Sequence, residues 1–161
     1  MNHASSCHEG LPFRQALPWL LLLTFLFFLN FISRVLFSPL MIAIEGDLGI
    51  AHGAAGRVFL YMSIGYSVAL FLNGYISARI SHRQTIAMAS IWMGLGLLMV
   101  SFAPSYRAMV PALIITGMGG GFYIPSAIAT ITSLTCRSAW GKALAVHELA
   151  PNLSLVLAPL V

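Results

Sequence analysis

Five stretches of this chain run for about 19 to 28 residues with almost no charge. That repetition constrains the fold more than any single motif. A run of about 18 apolar residues is long enough, as a helix, to cross a hydrocarbon layer roughly 30 Å thick. Hydrophobic residues make up 59% of the chain and charged residues 7%, against soluble averages of about half and about a quarter. So few charges cannot cover the surface of a soluble fold of this size. The sequence therefore predicts an all-α membrane protein with transmembrane helices at 17–44, 58–78, 84–103, 108–132 and 143–161, after a polar tail at 1–16.

The first run is too long for the apolar core of a signal peptide and holds Asn30 and Arg34. It reads as a retained helix that must tilt or protrude. Glycines and acids at 45–57 predict a loop, "PSYR" at 104–107 a tight turn, and "SLTCRSAWGK" a second loop. With the N-terminus inside, the inner segments carry Arg14, Arg79, Arg83, Arg137 and Lys142, and the outer ones Arg57 and Arg107. That excess favours a cytoplasmic N-terminus. The net charge of +4 is spread singly between apolar runs, so no phosphate-tracking stripe for nucleic acid forms. Cys7 and Cys136 both fall on the cytoplasmic side, where thiols stay reduced.

Two intramembrane clusters stand out. Arg34 is a charge deep in a helix, a placement that costs from about 2.5 kcal/mol upward and is rarely made without a partner. Asn30 lies one turn earlier on the same face, so the pair would present donors to a cavity. The structural alternative is that Arg34 snorkels to the outer interface. In "AVHELAPN", His147 and Glu148 form a candidate proton relay, with Asn152 on the face of Glu148. Pro151 cannot donate to the His147 carbonyl and leaves it free. The alternative is a hydrogen-bonded pair that only ties helices together. Counting at 1.5 Å per residue separates Arg34 and Glu148 by roughly 10–15 Å in depth, too far for direct contact.

"GMGGGFYIP" at 117–125 is no phosphate loop, since no strand precedes it and Phe122 stands where a glycine is needed. Gly117 and Gly121, four apart, predict close helix packing, and Pro125 a kink. Tyr61, Tyr66 and Tyr123 suit packing better than solute contact. There is no serine or cysteine nucleophile with a base at known spacing, and His82 and His147 lie on separate elements. The sequence thus predicts no enzyme, no metal and no cofactor.

The inner turn "GYISARISHR" at 74–83 concentrates Arg79, His82 and Arg83 between two apolar runs. It resembles the loop signature of the major facilitator superfamily: glycine, three variable positions, aspartate, arginine, a variable position, glycine and two basic residues. Gly74, Arg79 and Arg83 match, while Ala78, Ser81 and His82 replace the aspartate, the second glycine and the first basic residue. The glycine-rich fourth helix, Ala158-Pro159 in the fifth, and Arg34 followed by "SPLMIAIEGDLGI" resemble the same family in the same order. An arginine that many members carry early in helix four is absent, with Ala112 and Leu113 in its place.

The resemblance implies twelve helices in two six-helix bundles and transport of a small solute by alternating access. It also implies that Gly74, Arg79, His82 and Arg83 latch the bundles on the inner side. The expectation is an incomplete N-terminal six-helix bundle whose partner half lies elsewhere. A proton-coupled carrier is one outcome, and a truncated or non-transporting membrane subunit the other.

Overall fold

The computed structural model describes residues 10–160. Among them the regular structure is helical, in the order α1 Phe13–Val35, α2 Met41–Leu48, α3 His52–Ser77, α4 His82–Ser101, α5 Tyr106–Leu134, α6 Trp140–His147 and α7 Leu149–Leu157. Five segments are long and apolar enough to cross a membrane: Phe13–Val35, Gly56–Ser77, His82–Ser101, Tyr106–Leu134 and Arg137–Leu160. The chain is an all-α membrane protein with five such spans.

The first span ends nine residues before the expected position (44 − 35), and the cause is Pro39. Proline has no N–H for the Val35 carbonyl, and its ring crowds that oxygen. Ser38 N–H takes the Val35 carbonyl instead at 2.9 Å, and the chain turns. The apolar residues up to Ile44 belong to α2, which closes on Gly49 at φ +59°, a conformation that favours glycine. The predicted 45–57 loop shrinks to 49–51, because the alanines at 51, 54 and 55 favour helix from His52 onward. The fifth span breaks once, at Glu148 between α6 and α7.

α5 is the central helix. Of its apolar window 61% is buried, against 28% or less for the other four spans. Glycines bring its backbone against its neighbours. A Cβ on Gly117 or Gly121 would run into the Met62 or Tyr66 carbonyl of α3, and one on Gly65 into the Ile114 carbonyl. Gly96 of α4 meets Thr116, and Gly119 meets Ala89 and Met93. α5 passes through Pro125 as continuous α-helix.

α1 lies on the other side, against α5, α6 and α7. Its buried stripe is Ala16, Leu20, Leu23, Phe27 and Asn30, at the three-and-four spacing of one helix face. A second core cluster gathers Phe37, Met41, Val58, Met62, Met109 and Leu113 where α2 folds back. Large apolar side chains also point outward, Phe71 at 88% and Ile91 at 69% exposure among them, as a lipid-facing surface requires.

At the other end, Leu11 N–H donates to the Leu134 carbonyl and Cys136 N–H to the Leu11 carbonyl. This pairing brings the N-terminal arm alongside Cys136, which is disulfide-bonded rather than the reduced thiol expected. Cys7 and the rest of the tail at 1–9 lie outside the described residues.

Candidate functional site

Arg34 continues the α1 stripe one turn beyond Asn30. Its guanidinium lies 5.3 Å from the Phe31 ring centroid and 5.5 Å from that of Tyr66 on α3. Both are within the range of a cation–π contact. Gly120 makes room for it: a Cβ there would stand 3.0 Å from the Arg34 Cζ. The three consecutive glycines of α5 thus serve three different neighbours. Gly119 admits α4, Gly120 admits Arg34 of α1, and Gly121 admits α3.

Asn30 donates from Nδ2 to the Gly119 carbonyl at 3.4 Å. Its Oδ1 and the Arg34 Nε are buried without a hydrogen-bond partner. Such orphans are uncommon in a settled core. Arg34 borders a cavity of about 430 Å³ that also touches Ser38, Ser63, Tyr66 and Leu155. That volume lies within the range of small-molecule sites.

The second cluster forms around His147, which is fully buried. Phe27 of α1 stacks on its ring at 4.4 Å and 9°, and on Tyr123 of α5 at 5.3 Å and 13°. Tyr123 Oη donates to the Leu23 carbonyl at 2.6 Å and lies 3.4 Å from His147 Nε2. On the other ring edge, Nδ1 is 3.5 Å from Glu148 Oε1. That is ion-pair distance, but Nδ1 makes no hydrogen bond. The Glu148 side chain is 58% exposed, so its carboxyl faces outward from the rim of a buried imidazole.

Asn152, also exposed, donates to the Glu148 backbone carbonyl at 2.7 Å rather than to its carboxylate. Pro151 accounts for the helix break here, since it cannot bond the His147 carbonyl. Arg34 and Glu148 belong to separate clusters. Arg34 shares its cavity with Leu155, two turns beyond Glu148 on the last span.

The turn at 74–83 carries Gly74, Arg79, His82 and Arg83 on its exposed surface. The Arg79 guanidinium lies 4.0 Å from the ring centroid of Tyr75, in the last turn of α3. Ser81 and Gln84 form a capping box: Gln84 N–H donates to Ser81 Oγ at 3.3 Å, and Ser81 N–H to Gln84 Oε1 at 3.0 Å. The spacing of those two residues signals such a box, and sequence reasoning passed over it. It also passed over Asn73, which is buried with its Oδ1 3.5 Å from Ser126 Oγ. An asparagine inside an apolar run was the available signal, the same one that singled out Asn30.

A family model described as Major Facilitator Superfamily matches residues 23–161. Among curated proteins, the arabinose-proton symporter of Escherichia coli (strain K12) is 24% identical over 97 residues, 60% of this chain and 21% of that protein. The probable sulfoacetate transporter SauU of Cupriavidus necator is 23% identical over 107 residues, 66% of this chain and 25% of that protein. The hexuronate transporter of Bacillus subtilis (strain 168) is 29% identical over 108 residues, 67% of this chain and 26% of that protein. The matched stretches span about a fifth to a quarter of these relatives. No solved structure matches at the same significance.

Proposed function

The chain belongs to the Major Facilitator Superfamily, and from that premise we propose that it is part of a carrier that moves a small organic anion across a membrane by alternating access. The observation that carries the reading is Arg34. Its guanidinium sits among rings and glycine backbone beside a small-molecule-sized cavity, and its Nε is unsatisfied. A cation held among rings and backbone inside a span needs a counter-charge. Sulfoacetate and hexuronate, named for two relatives, are both anions. In this reading the solute carboxylate or sulfonate takes a charge-assisted hydrogen bond from Arg34.

Proton coupling enters through Glu148 and His147, and an arabinose-proton symporter among the relatives supports it. The solute-binding cavity is completed by a second bundle outside this chain. The Arg79–Arg83 turn faces the cytoplasm and latches the halves together. Arg83 occupies the first turn of α4, where the helix dipole disfavours a cation by about 0.3–1 kcal/mol. An acid on the other half or a lipid phosphate would offset that cost. The membrane is the bacterial inner membrane in this proposal.

The test is uptake of labelled small organic acids by the carrier assembled with its second half. Losing a charged hydrogen bond is worth about 1.5–3 kcal/mol, so Arg34→Gln lowers anion affinity by roughly tenfold to a hundredfold. Arg34→Lys retains part of it. Unchanged affinity in Arg34→Gln rejects the assignment.

A further inference from the structure

The hydrogen bonds around His147 favour one tautomer of the neutral ring. Tyr123 has a single hydroxyl hydrogen, and the Leu23 carbonyl at 2.6 Å can only accept. The hydrogen is therefore spent on Leu23, and Tyr123 Oη can meet His147 Nε2 only as an acceptor. Nε2 must carry a hydrogen, and in the neutral ring Nδ1 is left with a bare lone pair. That lone pair points toward Glu148, whose nearer carboxylate oxygen is also an acceptor. Two acceptors face each other with no hydrogen between them. At 3.5 Å the two atoms are within ion-pair reach, and Nδ1 has no hydrogen-bond partner.

We propose that the Nδ1 edge of His147 and the carboxyl of Glu148 form a binding site for one proton, closed at its inner end. A single proton resolves the mismatch. It lies on Nδ1, giving an imidazolium paired with a carboxylate, or on the carboxyl, giving an O–H donor to Nδ1. Either way one bond to hydrogen forms and one acceptor clash is removed. The proton does not travel inward. Nε2 already holds a hydrogen, Tyr123 already donates its own, and the Leu23 carbonyl ends the chain. Entry and exit run through Glu148, the exposed member. The cluster is thus a dock and not a wire.

The groups packed on His147 are compatible with this. α1 offers the Phe27 ring, which brings no charge, and its Arg34 lies two turns further along the stripe. α5 offers Tyr123, and the break between α6 and α7 offers Glu148. The use of the site in coupling rests on the carrier reading above, but its existence does not.

The test is nitrogen and carboxyl-carbon magnetic resonance on the full chain in lipid nanodiscs, with ¹⁵N-histidine and ¹³C-glutamate labels, acidified from about pH 8 to about pH 5. At the alkaline end the neutral ring shows hydrogen on Nε2 and a bare Nδ1. Acidification adds one proton to the pair, seen at Nδ1 and at the Glu148 carboxyl in the same transition. Tyr123→Phe removes the acceptor and yields a mixture of tautomers while proton uptake persists. Glu148→Gln keeps the Nε2 hydrogen and loses the joint transition. A neutral Nδ1–H ring in the unmodified protein, or two separate transitions at His147 and Glu148, overturns the proposal. Loss of uptake activity with these spectra intact would count against the carrier reading and leave the proton site standing.

Discussion

Among the described residues Glu148 is the one acid that falls within a span; Glu45 and Asp47 lie outside all five. It stands at a helix break, beside a buried imidazole, and in the proposed carrier it is the residue that would take up the coupling proton. Glu148→Gln in the assembled carrier should abolish uptake driven by a pH gradient while solute exchange without a gradient continues. Equal loss of both would assign Glu148 to structure. Arg34 and the His147–Glu148 pair were legible in the sequence, because charge in an apolar run is conspicuous. Tyr123 and Gly120 were not. A tyrosine in a span is ordinary, and its role depends on a carbonyl one hundred residues away (123 − 23). Gly120 falls outside the four-residue spacing that drew attention to Gly117 and Gly121, since it faces a side chain rather than a helix backbone.

At the level of the helix, α5 shows how one short glycine run can serve three contacts. The atoms each glycine meets set different outcomes for substitution. At Gly117 a Cβ strikes the Met62 carbonyl, which is backbone and cannot swing aside. Gly117→Ala should destabilise the protein by about 1–3 kcal/mol, the usual cost of overpacking, read as a lowered melting temperature in detergent. Gly120→Ala meets only the far end of Arg34, so it should leave the melting temperature near normal and weaken anion affinity severalfold. Gly74→Ala meets nothing within 4 Å and should melt at or above the parent temperature, since alanine favours the helix. If all three melt alike, the packing account of α5 fails. Apolar length made the spans themselves legible. Their ends were less so, because Pro39, Gly49 and the Ser81–Gln84 box act through local hydrogen bonds that hydropathy does not register.

For the molecule as a whole, the exposed apolar side chains on the spans call for lipid or for further helices. Joined with its second half, the chain should transport; expressed alone it should insert but show no uptake. Uptake by the isolated chain would contradict a cavity built between two bundles. The proposed orientation, drawn from the charge count, has the 79–83 turn on the cytosolic side, together with the Cys136 turn two spans later. A disulfide at Cys136 is what an oxidising compartment would give, and it argues for the opposite sidedness. With both native cysteines replaced, Ser81→Cys should react with an impermeant thiol reagent in inverted vesicles and resist it in intact cells. The reverse pattern inverts the topology.

Most of the partners of α1 come late in the chain, on α5, α6 and α7, and this has a bearing on how the protein is made. Arg34 settles against Gly120, which is synthesised 86 residues afterwards (120 − 34). At about 5–20 residues per second, the ribosome takes on the order of 4 to 17 s to cover that distance. During that interval the first helix has left the ribosome without its resting place. Its guanidinium must be sheltered by the insertion machinery, by headgroups or by water until the fourth span arrives. A pause or truncation before that span would strand a cationic helix in the bilayer, an obvious target for membrane quality control.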